Sequence, residues 1–116
     1  MITLNASNKL LTRIAPVSKE SLAEYCRRWL VAELALFGSV LRDDFGPESD
    51  VDVLVTFTPD ADWSLFDHVK MADELKGLFK REVDLVSRRA VERSQNWIRR
   101  KNILNSAQVV YAARQR

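Results

Sequence analysis

The apolar positions change their period several times along the chain. Between Ser18 and Val31, the residues Leu22, Tyr25, Cys26, Trp29 and Leu30 recur at intervals of three, one, three and one, which gathers them on one face of a helix. That face is expected to be core, with Cys26 a small buried hydrophobe. Residues 34–37, LALF, form a short apolar run stopped by Gly38-Ser39, the pattern of a strand entering a turn. The polar stretch from Arg42 to Ser49 reads as a loop, and the β-branched run VDVLVTF at 51–57 as a strand closed by Thr58-Pro59. Ser64, with Asp67 three residues on, predicts a capping box. The helix it opens is expected to turn Leu65, Phe66, Val69, Ala72, Leu75, Leu78 and Phe79 inward and to end near Gly77 to Lys80. A third strand is predicted at 82–86, a helix from Ala90 to about Leu104, and a last short strand at 108–112. The first 15 residues have mixed polarity and predict no element. This order implies an α/β (α+β) chain with one small mixed sheet and helices packed against it.

Length and composition narrow the classes. The chain has 116 residues, 47% hydrophobic and 29% charged, and shows no repeat or linker, so 1–116 is expected to be one domain. No apolar run nears the roughly 20 residues of a membrane span, and the start lacks a signal-peptide pattern, so a cytoplasmic protein is expected. One cysteine, Cys26, and one histidine, His68, cannot build an internal disulfide, a Cys/His zinc site or a histidine pair. His68 reads as a surface residue of its helix. The net charge of +2 hides an uneven distribution. Residues 1–87 carry 10 basic and 15 acidic side chains, residues 88–116 carry 8 and 1. An acidic body suits cations and a basic end suits something anionic, although a solvated basic helix explains the second equally well. Trp97, among Arg93, Arg99, Arg100 and Lys101, reads as an anchor for the last helix before it reads as an RNA-stacking residue.

The candidate chemistry occupies one stretch: Gly38-Ser39, ten residues, then Asp50-Val51-Asp52. Side chains alternate along a strand, so the two carboxylates share a face, about 6.5–7 Å apart at two rises of roughly 3.3 Å. Side by side they repel, and hard oxygen ligands on a rigid element suit Mg²⁺ or Mn²⁺. Asp84, in the middle of the third strand where an acid is disfavoured, could complete the set, the competing reading being a salt bridge to Arg81 or Arg88. A glycine directly after a strand lets backbone N–H groups and the Ser39 hydroxyl face a phosphate, and Arg42 can add charge. An anion cradle beside carboxylate-bound metal suits phosphoryl or nucleotidyl transfer. No Walker or dinucleotide-binding fingerprint is present, since the chain has only three glycines, at 38, 46 and 77.

The spacing Gly-Ser, ten residues, Asp-x-Asp, with a later strand Asp, resembles the DNA polymerase β-like nucleotidyltransferase superfamily. At this length it is most similar to the minimal nucleotidyltransferases (MNT), the MntA-like antitoxins of HEPN/MNT pairs, over about Ser18 to Tyr111. The resemblance implies that Gly38 and Ser39 hold the phosphates of ATP and that Asp50, Asp52 and Asp84 are catalytic metal ligands for two Mg²⁺ ions. Arg42 matches a family arginine, whereas Val40 stands where the family often has a basic residue. By the same resemblance the reaction is AMP transfer to a hydroxyl, a tyrosine of a HEPN-type toxin that thereby loses its RNase activity. Larger relatives carry an acceptor domain for which 116 residues leave no space, so the acceptor surface is expected on a partner chain. Two alternatives stay open: an antitoxin that blocks its partner by contact alone, and a nucleotidyltransferase acting on RNA ends through the basic segment. Exposed sheet ends leave a homo-oligomer open as well.

Overall fold

The computed structural model describes residues 5–14 and 17–113. Helix α1 spans Asn5–Ile14, in the stretch for which the sequence predicts no element, and α2 spans Lys19–Arg28. Ser18 caps α2 by accepting the Ser21 N–H at 3.0 Å. The helix stops three residues short of the expected Val31, because Leu30 takes a left-handed φ of 54° that no α-helix continues. Strand β1 therefore starts early, at Val31, and runs to Phe37. A single 3₁₀ turn, Gly38–Leu41, follows. After the loop come β2 (Val51–Phe57), α3 (Leu65–Phe79) and β3 (Val83–Ser87). The expected capping box is present: Ser64 Oγ accepts the Asp67 N–H, and Asp67 accepts the Ser64 N–H.

The predicted single helix over 90–104 is two helices, α4 (Arg88–Arg93) and α5 (Trp97–Ser106). Hydrogen-bonding side chains cause the break. Ser94 Oγ accepts the Asn96 N–H, and Asn96 Oδ1 accepts the Arg99 N–H, which caps a new helix. Strand β4, Gln108–Ala112, lies where the sequence puts it. Arg114 and Arg116 of the basic segment fall outside the described residues.

The four strands lie in the order β3-β2-β1-β4, with β1 antiparallel to both β2 and β4, and β2 parallel to β3. The sheet is mixed, as expected. Its thick face carries Leu34, Leu36, Val51, Val53 and Val55, covered by Leu11 and Ile14 of α1, Leu22, Tyr25 and Cys26 of α2, and Met71, Leu75 and Phe79 of α3. Tyr25 donates its hydroxyl to the Met71 carbonyl at 3.1 Å, which ties two of these helices together. Burial pushes the Cys26 thiol up to about 12, so it stays an unreactive hydrophobe at neutral pH. The thin face holds Ala35, Phe37 and Leu54 under Val91 of α4 and Ile103 of α5.

Three expected inward positions point outward. Leu65, Phe66 and Val69 are 80%, 82% and 53% exposed. A helix on a sheet buries one stripe, and Met71, Leu75 and Phe79 occupy it. At 100° per residue Phe66 lies on the side opposite Leu75. Trp97 is likewise 60% exposed, and Ile103 and Val91 are the buried residues that hold α5 and α4 down. His68 is partly buried rather than on the surface, its Nε2 lying 2.9 Å from the Leu85 carbonyl oxygen. Among the described residues no helix is long and apolar enough to cross a membrane.

Candidate active site

Alternation along β2 sends Val51, Val53 and Val55 into the thick core, so Asp52 emerges on the thin face in line with Leu54. The parallel register pairs Asp52 with Asp84 of β3, so the two carboxylates stand side by side on adjacent strands. Asp50 sits one residue ahead of β2, on the same side by the same alternation. Asp50 and Asp84 are exposed and Asp52 is partly buried. None of the three forms an ion pair among the described residues. The salt bridges that could have explained Asp84 are absent. Arg88 is paired with Glu92 at 3.1 Å, and Arg81 donates to backbone carbonyls instead.

The 3₁₀ turn closes over this corner. Gly38 has φ of +73°, and a Cβ placed on it would lie 2.1 Å from Asp52 Oδ2. Only a residue without a side chain lets the backbone approach the carboxylate so closely. The Ser39 backbone amide favours the charged form of the Asp52 carboxyl, and the Ser39 hydroxyl donates to the Asp50 carbonyl at 3.0 Å. Gly38-Ser39 is thus strapped to Asp50 through the hydroxyl and abuts Asp52 through the glycine. Arg42 is exposed and forks onto Asp44, with contacts of 3.0 and 2.6 Å.

Crowding of like charge has an electrostatic consequence. The Asp52 carboxyl is held above its ordinary value of 3.8, first by desolvation, then by Asp84 and Asp50; Arg99 and the Ser39 N–H oppose the shift. Such a set, without an ion pair among the described residues, fits a divalent cation. Among the described residues no three His, Cys, Asp or Glu side chains converge into a finished cage.

Two arginines that the sequence does not mark as site residues build the approach to Asp50. Arg81 donates through Nη1 to the carbonyls of Gly46 at 2.7 Å and Ser49 at 2.8 Å, and lies 4.3 Å from the Phe45 ring centre. Arg13 of α1 donates to the carbonyls of Val40 and Arg42, both at 2.7 Å. These contacts span 27–35 residues, so no local pattern announces them. Arg81→Ala is expected to cost about 1–3 kcal/mol, the range for charged hydrogen bonds. Urea melts would measure it, and a midpoint equal to that of the parent would remove Arg81 from the account of the loop.

The model of the nucleotidyltransferase domain family matches residues 18–110. The chain belongs to this family. The nucleotidyltransferase is 25% identical over 91 residues to the Methanocaldococcus jannaschii protein named "Putative protein adenylyltransferase MJ1379", covering 78% of this chain and 84% of that one. Among solved structures, one described as a "putative minimal nucleotidyltransferase" has a TM-score of 0.61 at 29% identity, covering 88% of this chain and 93% of that chain. A toxin–antitoxin complex with AMP-PNP gives a TM-score of 0.63 at 18% identity, with 85% and 77% covered. The complex of a tri-AMPylated Shewanella oneidensis HEPN toxin with its MNT antitoxin gives 0.54 at 18%, with 81% and 69% covered. The last two establish a shared fold.

Proposed function

We propose that this nucleotidyltransferase transfers AMP from ATP to a hydroxyl of a partner protein, a HEPN-type toxin, and thereby neutralises it. The observation that carries the reading is the corner where Asp52 pairs with Asp84 in register and Gly38 closes onto Asp52 Oδ2. Support comes from the adenylyltransferase name of the archaeal relative and from the fold shared with an antitoxin complexed to an AMPylated toxin.

Asp50, Asp52 and Asp84 would hold divalent ions, Mg²⁺ or Mn²⁺, which when bound neutralise the triphosphate and acidify the attacking hydroxyl. Gly38 lets the turn close onto the Asp52 carboxylate, and Ser39 keeps the turn against the strand, so that the turn would present the phosphates to the metal-binding side chains. Arg42 would reach a phosphate only by releasing Asp44. Asp84, exposed on β3, would accept the proton of the attacking hydroxyl at a carboxylate oxygen. The acceptor oxygen then bonds to the α-phosphorus, the bond from that phosphorus to the β-phosphate oxygen breaks, and pyrophosphate leaves. The chain would act inside the cell, where ATP and the toxin are found.

Intact-mass spectrometry of the partner after incubation with this protein, ATP and Mg²⁺ tests the reading. A gain of one or more AMP units, absent with Asp50→Asn/Asp52→Asn, is the expected result. An unmodified partner held in a stable complex would instead make the chain a contact antitoxin.

A further inference from the structure

The notable cation beside the carboxylates comes from α5. The break at Ser94–Asn96 swings the start of α5 over the Gly38 turn, and a cleft of about 360 Å³ opens between them, lined by Phe37, Gly38, Asn96, Ile98, Arg99 and Asn102. That volume falls at the lower end for small-molecule sites, and the mixture of apolar walls with two amides suits a nucleoside. Arg99 is exposed and makes no ion pair or side-chain hydrogen bond among the described residues, although its charge reaches Asp52. It also occupies the first turn of α5, which contains no acidic residue, so its charge opposes the helix dipole. A bound anion would meet the positive end of the α5 dipole and the guanidinium together. Three other arginines are held elsewhere: Arg42 by Asp44, Arg100 by the Ser94 carbonyl at 2.7 Å, and Arg81 by the loop.

We propose that Arg99 is the nucleotide's phosphate ligand, and that the cleft between the Gly38 turn and α5 seats the nucleoside end of the same molecule. This rests on the nucleotidyltransferase reading above. It shifts the cationic role from Arg42, next in sequence to the Gly-Ser turn, to a residue 60 positions beyond Ser39. A guanidinium here can fork onto two phosphate oxygens, which a lysine ammonium cannot.

The test is calorimetric titration of the full chain, without partner, using ATP with Mg²⁺ and, separately, adenosine. Arg99→Ala is expected to weaken ATP binding by about 10–30-fold, as for a lost charge-assisted contact, while adenosine affinity and the thermal midpoint stay unchanged. Arg99→Lys should recover part of the loss, and Arg42→Ala should weaken ATP less than about threefold. Asn102→Ala should weaken ATP and adenosine alike. Parent-like ATP affinity in Arg99→Ala, with the parent binding ATP, would overturn the Arg99 assignment and leave the nucleotidyltransferase reading standing. Equal losses for ATP and adenosine in Arg99→Ala would overturn it too, since a phosphate ligand discriminates between them. A parent that binds neither would overturn both.

Discussion

Asp52→Asn is expected to raise the thermal midpoint of the metal-free protein while lowering AMP transfer by at least about 10³-fold, the scale seen when a central catalytic group is removed. The two effects share one cause. Desolvation and the neighbouring Asp84 and Asp50 hold the Asp52 carboxyl above its ordinary value, so its charged form is disfavoured in the folded chain. The sign follows from linkage. A native carboxyl with a raised pKa binds its proton more tightly than the unfolded chain does, so stability is greatest below the ordinary value of 3.8 and falls as pH rises through the native value. Near pH 7 the cost is fully present, and an amide removes it. Because Asp52 is only partly buried, solvent screening keeps the gain small, about 2–4 °C. Thermal melts in EDTA from pH 3 to 8 would show the gap between parent and variant opening with pH and then levelling. Mg²⁺ should raise the parent's midpoint and leave the variant's nearly unmoved. A variant less stable than the parent at pH 7 would contradict the electrostatic picture.

Much of the fold is legible from local pattern because the deciding interactions are local. Alternation places Val51, Val53 and Val55 in the core, and the Ser64–Asp67 spacing closes a capping box within one turn. Where local pattern fails, a tertiary contact or a single dihedral has decided. Leu30 ends α2 through its left-handed φ, and the polar run Ser94-Gln95-Asn96 breaks a helix whose apolar period would tolerate continuity. Leu65 and Phe66 look inward by composition, yet the stripe facing the sheet is taken by Met71, Leu75 and Phe79. The carboxylates of the site are visible as motif and strand acid. The residues that hold their surroundings are not, because Arg13 and Arg81 act on carbonyls about thirty residues away. Arg99 reads from sequence as one cation among several in a basic stretch; only the helix break distinguishes it.

The Gly-Ser element has a reason beyond phosphate binding, and Gly38→Ala would expose it. At φ of +73° an alanine is strained by about 1–2 kcal/mol. Its Cβ would also fall 2.1 Å from Asp52 Oδ2, inside any permitted contact. The flexible end of the aspartate must yield, and rotating it away takes the carboxylate off the side it shares with Asp84. The turn could retreat instead, which would stretch the Ser39 hydroxyl from the Asp50 carbonyl and loosen the strap. Either response misplaces a reacting group, and a displacement of about 1 Å costs on the order of 10² in rate. Gly38→Ala is therefore expected to lose about 1–3 kcal/mol of stability and at least about 10²-fold in transfer, with the rate loss persisting at saturating ATP. Ser39→Ala separates the parts, since it removes the strap and leaves the approach to Asp52 open. It should keep more activity than Gly38→Ala. If Gly38→Ala folded and transferred AMP at the parental rate, the close approach of turn to carboxylate would have no catalytic meaning, and Gly38 would be only a hinge after β1.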